Sequence, residues 1–231
     1  MWDLGVNGMT KKLFLQAIGK FILGIILFGV VLFVPAGTIY YPNGWLLISV
    51  LFIPMFFAGI VMMFKNHELL KKRLNAKEEE KEQKKVVALS GIMFLAAFVI
   101  AGLNFRFKWL ILPSWAVIIG TVVFLLAYAM YAEVLRENTY LSRTVEVQEN
   151  QKVIDTGLYG IVRHPMYSAT LFLFLSMGII LGSPISFAIL LLYIPIIAKR
   201  IKNEEMVLEE GLIGYSEYKT KVKYKVIPFV W

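Results

Sequence analysis

The sequence predicts an all-α membrane protein, a polytopic helix bundle of about five to six spans with a C-terminal helical hairpin. Two observations lead to this fold class. Hydrophobic residues make up 58% of the 231 residues and charged residues only 17%, whereas soluble domains average about 45–50% apolar and about 25% charged residues. The apolar residues also fall into long runs separated by short polar segments, as expected of helices that cross about 30 Å of hydrocarbon.

Four apolar runs predict the first four spans, at 13–34, 45–64, 86–103 and 110–131. The first run is longer than the roughly 7–15 apolar residues of a signal peptide and is interpreted as an anchor. We expect a tight turn over 104–109, and Pro113 in the first turn of the fourth span, where its missing N–H does least harm.

The distribution of basic residues predicts the orientation of the chain. The 35–44 loop has none, whereas the 65–85 connector has eight. Basic loops remain on the cytoplasmic side, so both termini, the 65–85 connector and the 133–166 segment are predicted to be cytoplasmic.

Two further apolar runs, 167–181 and 185–198, are each too short to cross the membrane squarely. Gly182-Ser183-Pro184 separates them and predicts a sharp turn. We interpret the two runs as a helical hairpin whose base returns to the cytoplasmic side. Before it, 144–148 alternates like a short extended piece. We divide the single membrane domain into an N-terminal region, 1–132, and a C-terminal region, 133–231.

Composition excludes several kinds of site. The chain has no cysteine, which excludes disulfides, thiolate nucleophiles and cysteine-based zinc sites. His67 and His164 lie far apart in the sequence, which argues against a histidine-rich metal site, and we predict no metal. The net charge of +8 fits loops that face anionic lipid, and we expect no nucleic-acid partner. P-loop, dinucleotide and zinc-peptidase motifs are absent from the sequence.

The hairpin would bring two charged segments together. Arg163-His164-Pro165 lies at its entrance and Lys199-Arg200 with Glu204-Glu205 at its exit. Ionisable groups at a membrane edge are costly and suggest a site, and residues four apart on a helix share one face. Arg200 would hold an anionic group, and Glu204 a cationic or hydroxyl-bearing ligand. Two structural alternatives remain open: Arg163 and His164 as interfacial anchors, or Arg200 and Glu204 as a simple ion pair.

Several separated elements of residues 138–231 resemble the isoprenylcysteine carboxyl methyltransferase family, which groups with the phospholipid methyltransferases among integral-membrane enzymes that use S-adenosylmethionine. They are Gly157-Leu-Tyr-Gly-Ile-Val-Arg-His-Pro-Met-Tyr167, the hairpin, Arg200-x-x-x-Glu204-Glu205-x-x-Leu208, Tyr215-x-x-Tyr218 and Pro228-Phe229. The Arg-His-Pro element by itself also occurs in membrane sterol reductases. The two adjacent glutamates after the hairpin favour methyl transfer over reduction. The resemblance therefore implies that the C-terminal region, 133–231, is the catalytic region.

The resemblance implies roles for individual residues. Those that would contact the cofactor, S-adenosylmethionine, are Gln148, Gln151, Lys152, Val153, Ile154, Tyr159, His164, Pro165, Met166, Tyr167, Glu204 and Glu205. Arg200 would bind the substrate, and Arg200, Glu204 and Arg163 are the candidate catalytic residues. The partners would be a lipophilic or lipidated substrate and membrane lipids.

Methyl transfer from a sulfonium is an in-line displacement that needs alignment and exclusion of water rather than a metal. A carboxylate acceptor is already ionised near neutral pH and needs only a cation such as Arg200. An amine acceptor must lose a proton, which His164 or Glu205 would take. The resemblance, with which this chemistry is compatible, makes carboxyl methylation of a prenylcysteine-like substrate the leading hypothesis. The alternatives are phospholipid amine methylation, a sterol-type NADPH reductase and a non-catalytic membrane scaffold.

Overall fold

A computed structural model of the chain describes residues 11–65, 70–71, 74, 81–138, 140–141 and 147–231. Its helices are α1 Lys11–Ala36, α2 Pro42–Lys65, α3 Lys81–Phe107, α4 Ser114–Glu137, α5 Pro165–Ile180, α6 Pro184–Leu190, α7 Tyr193–Gly211 and α8 Tyr215–Lys221, with a short 3-10 turn at Gly157–Gly160. Most of the 65–85 connector, His67 and most of the predicted extended piece at 144–148 lie outside the described residues.

Long apolar helices dominate the molecule. Within the described ranges, five segments are long and apolar enough to cross a membrane: Leu13–Ala36, Pro42–Lys65, Lys84–Phe107, Ser114–Glu137 and Pro184–Gly211. Their outer faces carry exposed large apolar side chains, such as Leu27, Phe57 and Leu126, which lipid would cover. The predicted all-α polytopic bundle is confirmed, and the chain is an integral membrane protein.

The third and fourth spans meet at a different place from the one predicted. Helix α3 continues through Asn104 to Phe107, and the turn follows at Lys108, whose φ of 53° is left-handed. The buried Asn104 side chain holds the turn because it donates to the Leu110 carbonyl at 2.8 Å and accepts from the Leu110 N–H at 3.1 Å. Pro113 precedes α4 in an extended conformation and is not part of its first turn.

The C-terminal hairpin is confirmed at the predicted break. Gly182 has a φ of +69°, a conformation that costs glycine little. Pro184 opens α6, and the Ser183 hydroxyl accepts a hydrogen bond from the Ser186 N–H at 3.2 Å. The returning arm is longer than predicted, because α7 continues past Ala198 to Gly211. This extra length carries the charged residues of the exit.

Helix α5 is the enclosed centre of the bundle. Its 16 residues rise about 24 Å, less than the roughly 30 Å of a hydrocarbon core, and it packs against α2, α3, α4, α6 and α7. A Cβ at Gly178 would lie 2.6 Å from the Phe187 backbone nitrogen, so the two arms approach too closely for a side chain there. This packing fixes where α5 begins.

The C-terminal segment is bound to the entrance of α5. The N–H of Arg163 donates to the Tyr224 carbonyl at 2.9 Å, and that of His164 to the Lys225 carbonyl at 2.8 Å. The Ser168 hydroxyl adds a bond to the carbonyl of Val226 at 2.5 Å. The segment 224–226 therefore closes one side of the region where the two charged segments of the hairpin meet.

Candidate functional site

A cavity lies where the end of α4, the 151–164 segment, the start of α5, the charged half of α7 and α8 converge. Its empty volume is about 830 Å³, which includes space open to solvent. The predicted site residues that line it are Gln151, Lys152, Val153, Ile154, Tyr159, Arg163, His164, Met166, Tyr167, Arg200 and Glu204. Residues far apart in the sequence therefore share one cavity.

The entrance and exit of the hairpin meet in this cavity. His164 Nδ1 lies 4.0 Å from Glu204 Oε1, although the two residues stand on opposite arms. The predicted proximity of the two charged segments is confirmed. The alternative in which Arg163 and His164 are interfacial anchors is wrong, because both side chains are buried.

Tyr167 connects Arg200 and Glu204, two residues of α7, the exit helix of the hairpin. Its hydroxyl accepts a hydrogen bond from Arg200 Nε at 2.9 Å and donates one to Glu204 Oε2. Tyr167 is buried and belongs to the well-packed first turn of α5. The tyrosine therefore holds the guanidinium and the carboxylate in fixed positions in the cavity wall.

Glu205 occupies a different environment from its neighbour Glu204. Its Oε1 accepts a hydrogen bond from Arg163 Nε at 2.8 Å and lies 3.1 Å from His164 Nε2, while its Oε2 lies 3.1 Å from Lys225 Nζ. Glu205 is only 4% exposed and is not part of the cavity wall. Successive helical residues point about 100° apart, so one glutamate faces the cavity and the next faces the protein interior.

The guanidinium of Arg163 is bound within the protein. Besides its bond to Glu205, its NH1 donates to the carbonyls of Val222 at 2.7 Å and Lys223 at 2.8 Å. A buried charge requires such partners. Arg163 therefore joins the entrance of α5, the exit helix and the C-terminal segment.

Two other predicted site residues lie next to the cavity without lining it. Gln148 donates from Nε2 to the Tyr140 carbonyl at 2.5 Å, and its N–H donates to Gln151 Oε1 at 2.9 Å. It supports the loop that carries Tyr140 and Gln151. Pro165 is the first residue of α5, where its fixed φ suits a helix start.

The cavity also includes residues for which the sequence predicts no role: Asn138, Tyr140, Leu141, Leu208, Leu212, Tyr215 and Tyr218. Asn138 ends α4 and donates from Nδ2 to the Tyr159 hydroxyl at 2.9 Å. Leu208 follows Glu204 by one helical turn, so the spacing of four residues was a signal that could have found it. Tyr215 and Tyr218 belong to a motif of the resemblance that carried no implied role.

The cavity has a charged end and an apolar end. Arg200, Glu204 and Leu208 follow one another every four residues along α7, which separates the first from the last by about 12 Å. Arg200 is nearer the apolar half of that helix. At the Leu208 end, Leu212, Tyr215 and Tyr218 form a buried cluster with Val153 packed against it.

Comparison with known protein families agrees with the predicted resemblance. Residues 116–210 match the model of the isoprenylcysteine carboxyl methyltransferase family. No curated protein gives a significant match to the chain. The matched residues extend from α4 through the hairpin to the exit helix and include Arg163, His164, Arg200 and Glu204.

Proposed function

We propose that the chain is a membrane methyltransferase that moves a methyl group from S-adenosylmethionine to a carboxylate on a lipophilic, prenylcysteine-like substrate. The match of residues 116–210 to the isoprenylcysteine carboxyl methyltransferase family supports this proposal. The observation that carries this proposal is the Arg200–Tyr167–Glu204 arrangement, which places a fixed cation and a fixed anion side by side in one cavity wall.

The residues of the cavity fit S-adenosylmethionine. When bound, the cofactor supplies a methyl group activated by its positively charged sulfur. Glu204 provides a carboxylate for a cationic ligand, and the rings of Tyr159 and Tyr167 offer electron-rich faces to a positive centre. The apolar end around Val153 and Leu208 suits a nucleoside base. Gln151, Lys152, Ile154, His164 and Met166 complete the wall that would hold the cofactor.

Arg200 is proposed to bind the acceptor carboxylate. A guanidinium presents donors in a planar fork that matches a carboxylate, and the bond from Arg200 Nε to Tyr167 restricts its orientation. Arg200 lies at the charged end of the cavity. That end is the nearer one to the apolar half of α7, where a substrate dissolved in the membrane would arrive. The residue therefore aligns an already ionised acceptor, and no base is required.

The contacts of Glu205 remove one of the two candidate bases for an amine acceptor. An amine must lose a proton, and a base must reach it. Glu205 lies outside the cavity wall and is held by Arg163, His164 and Lys225. Glu205 is therefore proposed as a positioning residue that keeps the entrance of α5 against α7. Arg163 lines the cavity, but its guanidinium donates to Glu205, Val222 and Lys223, so it is proposed as a positioning residue as well.

Labelled methyl transfer tests the proposal. Purified protein is incubated with methyl-labelled S-adenosylmethionine and a prenylcysteine analogue, and the product is treated with base. A base-labile methyl ester is expected. A base-stable N-methyl product from phospholipid would instead show amine methylation, and a folded protein that binds no S-adenosylmethionine by calorimetry would contradict the whole proposal.

A further inference from the structure

Tyr215 lines the cavity, and its hydroxyl is a buried polar atom without a partner among the described residues. Tyr215 is 4% exposed, yet its hydroxyl makes no hydrogen bond with any residue that the structure describes. Buried polar groups are nearly always satisfied. Two other buried side-chain atoms in the described ranges share this condition, Ser186 Oγ and Asn203 Nδ2, but neither residue lines the cavity, whereas Tyr215 does.

The neighbouring tyrosine shows what a purely structural hydroxyl looks like here. Tyr218 belongs to the same buried cluster, with its ring centre 5.8 Å from that of Tyr215. Its hydroxyl donates to the Tyr159 carbonyl at 2.7 Å. The two residues thus share a cluster and a degree of burial, but only Tyr218 uses its hydroxyl to hold the fold together.

Tyr215 presents its hydroxyl as a hydrogen-bond donor. Burial raises the pKa of this hydroxyl above its ordinary value, and the carboxylates of Glu205 and Glu204 raise it further. The group therefore keeps its proton near neutral pH and can donate to an acceptor on a bound molecule.

The place of Tyr215 in the cavity indicates which part of a ligand it meets. Leu212 and Tyr218 pack with Tyr215, and Val153 and Leu208 pack against them, so the ring of Tyr215 belongs to the apolar end. Its hydroxyl is within electrostatic reach of Glu205 and Glu204, on the side toward the charged end. The charged Arg200 lies about 12 Å away along the exit helix from Leu208. A flat, weakly polar base fits the apolar end, and a charged amino-acid portion fits the end with Arg200 and Glu204.

We propose that the Tyr215 hydroxyl donates a hydrogen bond to the nucleoside half of an S-adenosyl ligand. This inference rests on the proposed function and adds a binding residue to it. Tyr215 lies beyond the residues 116–210 that match the family, so the α8 segment contributes to the site from outside the matched region.

Tyr215→Phe tests the proposal, because it removes the hydroxyl and keeps the ring. The full chain in detergent is titrated by calorimetry with S-adenosylhomocysteine and with 5′-methylthioadenosine, which lacks the amino-acid portion. We expect the affinity for both to fall roughly three- to tenfold, as the loss of one hydrogen bond predicts. The ligand-free variant should melt at the same temperature as the wild type or higher, because an unpartnered buried hydroxyl is gone.

Tyr218→Phe is the matched control. It removes the same atom from the same cluster, but that hydroxyl is bonded to Tyr159, so the ligand-free protein should melt at a lower temperature. Weaker binding together with unchanged or higher stability is therefore a signature of Tyr215 that a structural hydroxyl would not give.

Three results would contradict the inference, and they differ in what they leave standing. If Tyr215→Phe binds both ligands as tightly as the wild type, Tyr215 is not a binding residue, although the proposed function stands. If only S-adenosylhomocysteine binds more weakly, the hydroxyl contacts the amino-acid portion and the assignment to the nucleoside is wrong. If the folded wild type binds neither ligand, the proposed function fails and the inference fails with it.

Discussion

Two adjacent glutamates illustrate how sharply single residues differ in this protein. The side chain of Glu204 is 23% exposed and faces the cavity, whereas that of Glu205 is 6% exposed and is held by three basic side chains. A buried charge that loses its counter-charge is strongly destabilised. The same chemical change at the two positions should therefore have different consequences.

Glu205→Gln should destabilise the ligand-free protein by about 3 kcal/mol, because Arg163 and Lys225 then lose their counter-charge. Glu204→Gln should change stability little and should instead weaken the binding of S-adenosylmethionine. Thermal unfolding in detergent and calorimetric titration measure the two effects. Equal destabilisation by both changes would show that the glutamates do not have separate roles.

Arg200→Lys keeps the positive charge but removes the Nε donor that bonds to Tyr167 at 2.9 Å and the planar fork for a carboxylate. We expect kcat/KM for the acceptor to fall by roughly 10–100-fold, as the loss of a charged hydrogen bond predicts. The affinity for S-adenosylhomocysteine should remain near that of the wild type. Steady-state kinetics with varied acceptor, beside calorimetry, separate the two ligands. An unchanged kcat/KM would remove Arg200 from the proposed acceptor site.

At the scale of elements, the hairpin positions the site. Helix α5 begins with the entrance residues and packs tightly against α4 and α6, while α7 returns with Arg200 and Glu204. Helix α5, the first arm of the hairpin, approaches α6 so closely at Gly178 that a Cβ atom there would clash with the backbone of Phe187. The separation of the two charged segments therefore depends on small residues deep in the bundle.

Gly178→Ala should destabilise the protein by about 1–3 kcal/mol, because the added methyl would lie 2.6 Å from the backbone nitrogen of Phe187 and force the arms apart. Gly91→Ala in α3 is the matched control, since its Cβ position has no atom within 4 Å. Thermal unfolding of the two variants compares them. Similar melting temperatures would mean that the hairpin adapts to the extra methyl without strain.

At the scale of the whole molecule, the site lies at one end of the bundle. The end of α4, the entrance of α5, the charged half of α7 and the C-terminal segment all converge there. The distribution of basic residues predicts that this end is cytoplasmic, which would let a water-soluble cofactor reach the cavity while a lipophilic acceptor arrives from the membrane. We propose this orientation for the protein.

Because the chain has no cysteine, single cysteines test the orientation directly. Tyr40→Cys changes an exposed residue between α1 and α2, and Ser216→Cys changes an exposed residue of α8. A membrane-impermeant maleimide should label Tyr40→Cys in intact cells and Ser216→Cys only after the membrane is opened. The reverse pattern would place the cavity on the opposite side of the membrane and overturn the proposed orientation.

Much of the architecture could be predicted because its signals are local. Runs of apolar residues predicted the spans, and Gly182-Ser183-Pro184 predicted the hairpin. The boundary after α3 was predicted wrongly. The buried Asn104 continues the helix and bonds to Leu110, and this bond to a residue beyond the helix is not visible in composition.

The sequence by itself determined the membrane bundle, the hairpin and the family resemblance, since hydropathy, turn residues and motif order can be read along the chain. Only the tertiary structure decided that Glu204 faces the cavity while Glu205 holds Arg163 and Lys225, and that the hydroxyl of Tyr215 is left without a partner. The physical reason is that these properties depend on the direction of side chains from helices far apart in sequence. Packing around α5 sets those directions.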